Sequence, residues 1–143
     1  MIVYFDTSAV LPPSIEEPGS QTASRLWDEA GRVVSSRLIY AEARAALAVA
    51  RRVRRLDEQD LRSAVDAAET LHSQLHLVEV TEELVQSAGV LAEQFDLGGY
   101  DAVHLASLRE VADPGVVLAA GDQSLLAAAE AIGIASANLH PSS

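Results

Sequence analysis

A chain of 143 residues can build one hydrophobic core, and 49% hydrophobic with 22% charged residues describes a globular protein rather than a disordered one. Its formal charge is −11 and its ten basic residues are all arginine, which disfavours non-specific coating of duplex DNA and, without lysine, excludes Walker-type phosphate binding and Schiff-base chemistry. There is no cysteine, hence no disulfide, thiolate catalysis or cysteine-held zinc, and no apolar stretch approaches the roughly 20 residues needed to cross a bilayer.

The first expected element is a buried strand, the apolar run Ile2 to Phe5, which stops abruptly on Asp6. The chain reaches that charge too early, and without a basic start, for a signal peptide, so the expected compartment is the cytoplasm. "PPSIEEPGS", Pro12 to Ser20, reads as a loop with two proline breaks. A helix from about Gln21 to Ala30 follows, with Trp27 at helical spacing from Ala23 and Ala30 and so expected in a core or interface. Arg32 to Ser35 form a short strand, and Ser36 is placed to cap a helix running to about Arg55. "LDEQD", Leu56 to Asp60, turns into another helix that reaches about Ser73.

"LHLVEV", Leu75 to Val80, is the next strand, and Thr81 caps a helix to about Phe95. "LGG" breaks the chain before a helix from Tyr100 to about Val111. "GVVLAA" is a further strand, and "GDQSLLAAAEAIGI" turns into a last helix and a short strand at Ile134 to Ser136. Alternating strands and helices imply parallel crossovers and a sheet covered on both faces, an α/β fold. With no repeat or linker, residues 1–143 read as a single domain. In such sheets ligands sit at the carboxyl ends of the strands, where Asp6 lies.

Three more carboxylates occupy awkward places. Asp122 repeats the arrangement of Asp6, one glycine after the apolar run Val116 to Ala120 and at a helix entry, where a structural N-cap is the competing role. Glu42 has Leu38, Ala45, Ala46 and Val49 at helical spacing, so it is expected inside an apolar stripe. An unpaired charge there would cost several kcal/mol, so it needs a metal or, as the structural alternative, a buried arginine partner. Asp101 has His104, Leu105 and Leu108 on its face, and its structural alternative is a first-turn aspartate favoured by the helix dipole. Gathered acids resist ionisation unless a cation stands among them, and their oxygens suit Mg²⁺ or Mn²⁺. A pair of such ions about 4 Å apart can hydrolyse phosphodiesters by holding both the attacking and the leaving oxygen.

In this order and spacing "VYFDTSAVL", "IYAEARAAL", "GYDAVHLAS" and "AAGDQSLLAAA" resemble the motifs of PIN-domain ribonucleases, above all the VapC toxin group of bacterial type II toxin–antitoxin systems. "EEPGS" after the first motif fits as well. The resemblance implies a three-layer α/β/α fold with a central, mostly parallel sheet, and metal-dependent endonucleolytic cleavage of RNA; attack by a metal-activated water, with a metal stabilising the leaving 3′-oxygen, would leave 3′-hydroxyl and 5′-phosphate ends. It also implies inhibition by a cognate antitoxin and a homodimer. By resemblance, Asp6 and Asp101 are the principal ligands of Mg²⁺ or Mn²⁺, Glu42 binds the metal or orients its water, and Asp122 completes a second metal position. Ser8 matches a hydroxyl position beside the metal. The chain departs from the pattern at Pro12 and Pro13, where many relatives carry a basic residue, at Gly98 in place of arginine, and at Ala120 in place of Ser or Thr. These departures bear on substrate positioning rather than on the metal ligands.

"RRVRR", Arg51 to Arg55, invites an RNA-binding reading, but Arg37, Arg44, Arg51 and Arg55 share a helical stripe nearly opposite Glu42. That stripe reads as a solvated or partner-binding face, and Arg52, nearest the Glu42 side, is the candidate phosphate contact. His104 reads as a hydrogen-bonded structural histidine, and His72 and His76 as separated by a helix end rather than paired on a metal. The acidic balance suits a basic antitoxin segment that inserts an arginine or lysine among the carboxylates. A receiver domain would need an acidic pair and a late lysine, and a haloacid-dehalogenase-type phosphatase an aspartate where Ser8 stands; both fail. The remaining alternative is a PIN-like domain that binds RNA or a protein without cutting.

Overall fold

Two strands are apolar on both faces, and they set the layers. The computed structural model describes residues 1–11, 20–112 and 114–141, so the expected loop from Pro12, with the departures at Pro12 and Pro13, lies outside the described residues up to Gly19. Strand β1 (Ile2–Phe5) has Val3, Tyr4 and Phe5 at most 1% exposed, and β4 (Val116–Ala120) buries Leu118, Ala119 and Ala120 completely. Strands buried on both sides need covering layers above and below, as a parallel sheet has. The sheet is parallel throughout its described strands, in the order β3 (His76–Val78), β2 (Arg32–Ser36), β1, β4, β5 (Ala135–Asn138).

The pleat sends alternate residues to opposite layers. Tyr4, Leu118 and Ala120 pack with α5 (Glu82–Phe95), α6 (Gly99–Glu110) and α7 (Gln123–Ala131). Val3, Phe5 and Ala119 pack with α1 (Thr7–Val10), α2 (Ser20–Glu29) and α3 (Ile39–Arg52), and α4 (Glu58–Ser73) closes on α3 through Leu47, Ala50, Leu56 and Ala64. The expected three-layer α/β/α fold is the fold observed. Trp27 packs on Phe5 with ring centroids 5.9 Å apart, as its spacing indicated. Among the described residues, no helix is long and apolar enough to cross a membrane.

Element boundaries differ from the sequence reading where capping signals were read too simply. Ser36 ends β2 and caps no helix; its hydroxyl accepts from the Leu38 amide at 3.1 Å, and α3 starts only at Ile39. That helix stops at Arg52 rather than Arg55, because Arg54 takes a left-handed conformation (φ 63°) and the Arg54 and Arg55 amides turn back onto Arg51 and Ala50. The third strand is shorter than expected, and the last is shifted to Ala135–Asn138. Thr81 does cap α5, its hydroxyl accepting from the Leu84 amide at 3.2 Å. Thr81→Ala is expected to cost about 1 kcal/mol, a melting midpoint lower by about 3 °C, measured by calorimetry.

With the order 3-2-1-4-5, the direction of winding reverses between β1 and β4. An open parallel sheet has its crevice at such a switch point, outside the carboxyl ends of the strands.

Candidate active site

Asp6 and Asp122 stand at that switch point. Asp6 follows β1 and is also the N-cap of α1: its Oδ1 accepts from the Ser8 amide at 3.1 Å and from the Ser8 hydroxyl at 2.6 Å. Ser8 Oγ accepts in turn from the Gly121 amide at 3.0 Å, which ties the exit of β1 to the exit of β4. Asp122 caps α7, its Oδ1 accepting from the Leu125 amide at 2.9 Å. The structural role weighed for Asp122 is therefore real, yet each cap engages one carboxylate oxygen. A carboxylate has about four lone-pair sites, so capping leaves room for a ligand.

Glu42 departs from expectation in its surroundings. The stripe Leu38, Ala45, Ala46 and Val49 is not the buried one, and Val49 is 43% exposed; α3 buries Ile39, Ala43, Leu47 and Ala50 instead. Glu42 sits at the edge of that face, its side chain 18% exposed, and lines a cleft rather than a core. Its partner is no arginine: Oε1 lies 2.7 Å from His104 Nε2. Asp101 stands in the first turn of α6, half-buried, above the buried His104, Leu105 and Leu108 as expected.

All four acids and Ser8 line one cleft of about 550 Å³, whose walls also hold Tyr100, His104 and His140. Among its described lining residues there is no arginine. Burial first, then the charge of Asp122, holds the Asp101 carboxyl up at about 6, with Asp6 and Glu42 adding to the effect and His104 opposing it. Burial likewise raises Asp6, against the Ser8 hydrogen bonds and the His104 charge. Among the described residues no three of these groups gather closely enough to grip one ion as they lie. The donor set still fits a hard divalent cation: carboxylate oxygens from separate elements that share one cleft, with Asp6 and Asp101 partly withdrawn from water.

Arg52 does not line the cleft; it is the last, exposed residue of α3, about 15 Å along the helix from Glu42. The arginine stripe is solvated as expected, with Arg37 paired to Glu79, Arg44 to Glu69 and Arg51 to Glu58. His72 and His76 fall on either side of the end of α4. Gly98 caps α6 through its backbone, and Ala120 is the buried last residue of β4. Tyr100 and His140 were not singled out by sequence reasoning. His140 follows β5, at the same carboxyl edge of the sheet as Asp6. Its ring lies so close over Gly121 that a Cβ there would stand 2.4 Å from Nδ1, which explains a glycine between Ala120 and Asp122.

The model of the PIN domain family matches residues 3–131. Ribonuclease VapC49 of Mycobacterium tuberculosis (strain ATCC 25618 / H37Rv) is 45% identical over 142 residues, covering 98% of this chain and 99% of the relative. Among solved structures, PAE2754 from Pyrobaculum aerophilum superposes with a TM-score of 0.70 at 19% identity, covering 95% of this chain and 89% of the other. A chain of the toxin–antitoxin complex from Klebsiella pneumoniae superposes with a TM-score of 0.54 at 17% identity, covering 87% and 90%. A family match over most of the length, joined to near full-length identity with a ribonuclease, means that this chain belongs to the PIN domain family, in its VapC-type ribonuclease toxin group.

Proposed function

We propose that this chain is a divalent-metal-dependent endoribonuclease and the toxin of a toxin–antitoxin pair. One observation carries the reading: four carboxylates, two on α3 and α6 and two just beyond β1 and β4, up to 116 residues apart, share one cleft at the sheet's switch point. When bound, Mg²⁺ or Mn²⁺ would activate a water and stabilise charge on the scissile phosphate and the leaving 3′-oxygen. Asp6 and Asp101 would hold the cation and Asp122 would serve a second position, while the Ser8 hydroxyl and amide keep Asp6 turned into place. Glu42, with Oε1 taken by His104, uses Oε2 to orient the attacking water. In this reading the cleft works in the cytoplasm, on a homodimer. It is silenced by an antitoxin whose basic segment replaces the cation among the acids. The similarity of fold to a chain of the toxin–antitoxin complex from Klebsiella pneumoniae supports such a partner.

A domain that binds RNA or protein without cutting is the competing reading, favoured by the lack of arginine among the described cleft-lining residues. Cleavage of a panel of structured and single-stranded RNAs by antitoxin-free protein separates the two. Cutting is expected with Mn²⁺ or Mg²⁺ and none with EDTA. Because Asp101 must ionise to hold a cation, the rate at fixed subsaturating metal should fall as pH drops through about 6. No cutting of any RNA, with no uptake of either metal, would leave the non-cleaving domain as the answer.

A further inference from the structure

His104 is 2% exposed in the middle of α6, among apolar neighbours, yet it is held at both ring nitrogens. The Tyr4 hydroxyl lies 2.8 Å from Nδ1, and Glu42 Oε1 lies 2.7 Å from Nε2. Tyr4 belongs to the central strand, two residues before Asp6, and its ring stands edge-on to the imidazole with centroids 5.8 Å apart.

The bond matters because of what it joins. Glu42 is on α3, and Asp101 is one turn before His104 on α6. These two helices share little backbone contact. A glutamate side chain has three rotatable bonds, and with the Glu42 side chain only 18% exposed its carboxylate needs a hydrogen-bonding partner to set its direction. The tie across 62 residues from His104 supplies that partner for Oε1. The anchor is itself packed on all sides, since Tyr4 is fully buried in the middle of the sheet.

We propose that His104, braced on the sheet by Tyr4, is a positioning residue that fixes the Glu42 carboxylate opposite Asp101 in the cleft; the proposal rests on the reading of that cleft as a metal-dependent nuclease. Leucine at this position fills a similar volume but donates nothing, whereas glutamine can bring its own Nε2 donor toward Glu42. Removing a group that orients a ligand costs roughly 10–100-fold in metal affinity or activity. The test compares wild type, His104→Leu, His104→Gln, Glu42→Ala and the His104→Leu/Glu42→Ala double variant. It reads kcat, KM, Mn²⁺ affinity by calorimetry and the melting midpoint of each.

The expected result is a kcat lower by about 30-fold in His104→Leu with KM within about threefold, and Mn²⁺ bound roughly tenfold more weakly. His104→Gln should recover most of both. In the Glu42→Ala background, His104→Leu should add nothing to the loss of activity, while any effect on melting should persist there. Equal impairment of the Leu and Gln variants would reduce His104 to packing. An undiminished Leu effect without Glu42 would show that it does not act through Glu42. If wild type cuts no RNA, the nuclease reading falls, and Mn²⁺ affinity alone decides: an unchanged value in His104→Leu overturns the positioning role.

Discussion

Asp6→Asn and Asp101→Asn are each expected to lower RNA cleavage by at least about a thousandfold while leaving the fold intact. Asparagine keeps the shape of aspartate and one acceptor oxygen. At position 6 it can still accept from the Ser8 amide and hydroxyl, and asparagine caps helices about as well as aspartate. What it loses is the negative charge and one of two oxygens, which a hard cation requires and a cap does not. The loss should therefore appear in turnover and in Mn²⁺ binding, and not as lower stability. Circular dichroism and melting measured beside the cleavage assay check this. Residual cutting shared equally by wild type and both variants would point to a contaminating nuclease. An unfolded Asp6→Asn protein would mean that the caps, and not a metal, account for the aspartate after β1.

The layers were readable in the sequence because β1 and β4 are apolar on both faces, and only a covered parallel sheet tolerates that. Asp6 and Asp122 were readable because a carboxylate directly after such a strand falls at the carboxyl edge of the sheet. Glu42 was found for a partly mistaken reason. Its alanine-rich helix offers several weakly apolar stripes, and spacing alone could not tell the stripe over the core from the one over the cleft. The end of α3 was misread because its stop is a left-handed Arg54, with no glycine or proline to mark it. His104 was identified as hydrogen-bonded, but Tyr4 and Glu42 lie 100 and 62 residues away, and no local pattern carries such pairings. His140 escaped because its place depends on β5 pairing beside β4, a fact of topology rather than of its own neighbours.

Mn²⁺ is expected to reverse the stability order of wild type and Asp101→Asn. Without metal, the folded state holds the Asp101 carboxyl at about 6, above an ordinary value of 3.8. The folded state therefore binds more protons than the unfolded chain between about pH 4 and 6. Stability falls as pH rises through that window, and the cost remains in full above it. With solvent screening at this half-buried position, the cost at pH 7.5 is about 1 kcal/mol. Asparagine carries no such charge, so metal-free Asp101→Asn should melt about 3 °C above wild type at pH 7.5, with the gap closing toward pH 4. A cation at a hundred times its dissociation constant stabilises the folded protein by about 2.7 kcal/mol, roughly 8 °C here. Wild type should gain that and the variant, lacking a ligand, little of it, so the curves cross as Mn²⁺ is added and return with EDTA. If metal-free Asp101→Asn melts below wild type at pH 7.5, burial of Asp101 beside the other acids does not strain the fold. If wild type ignores Mn²⁺, the cleft holds no cation and the strain serves some other end.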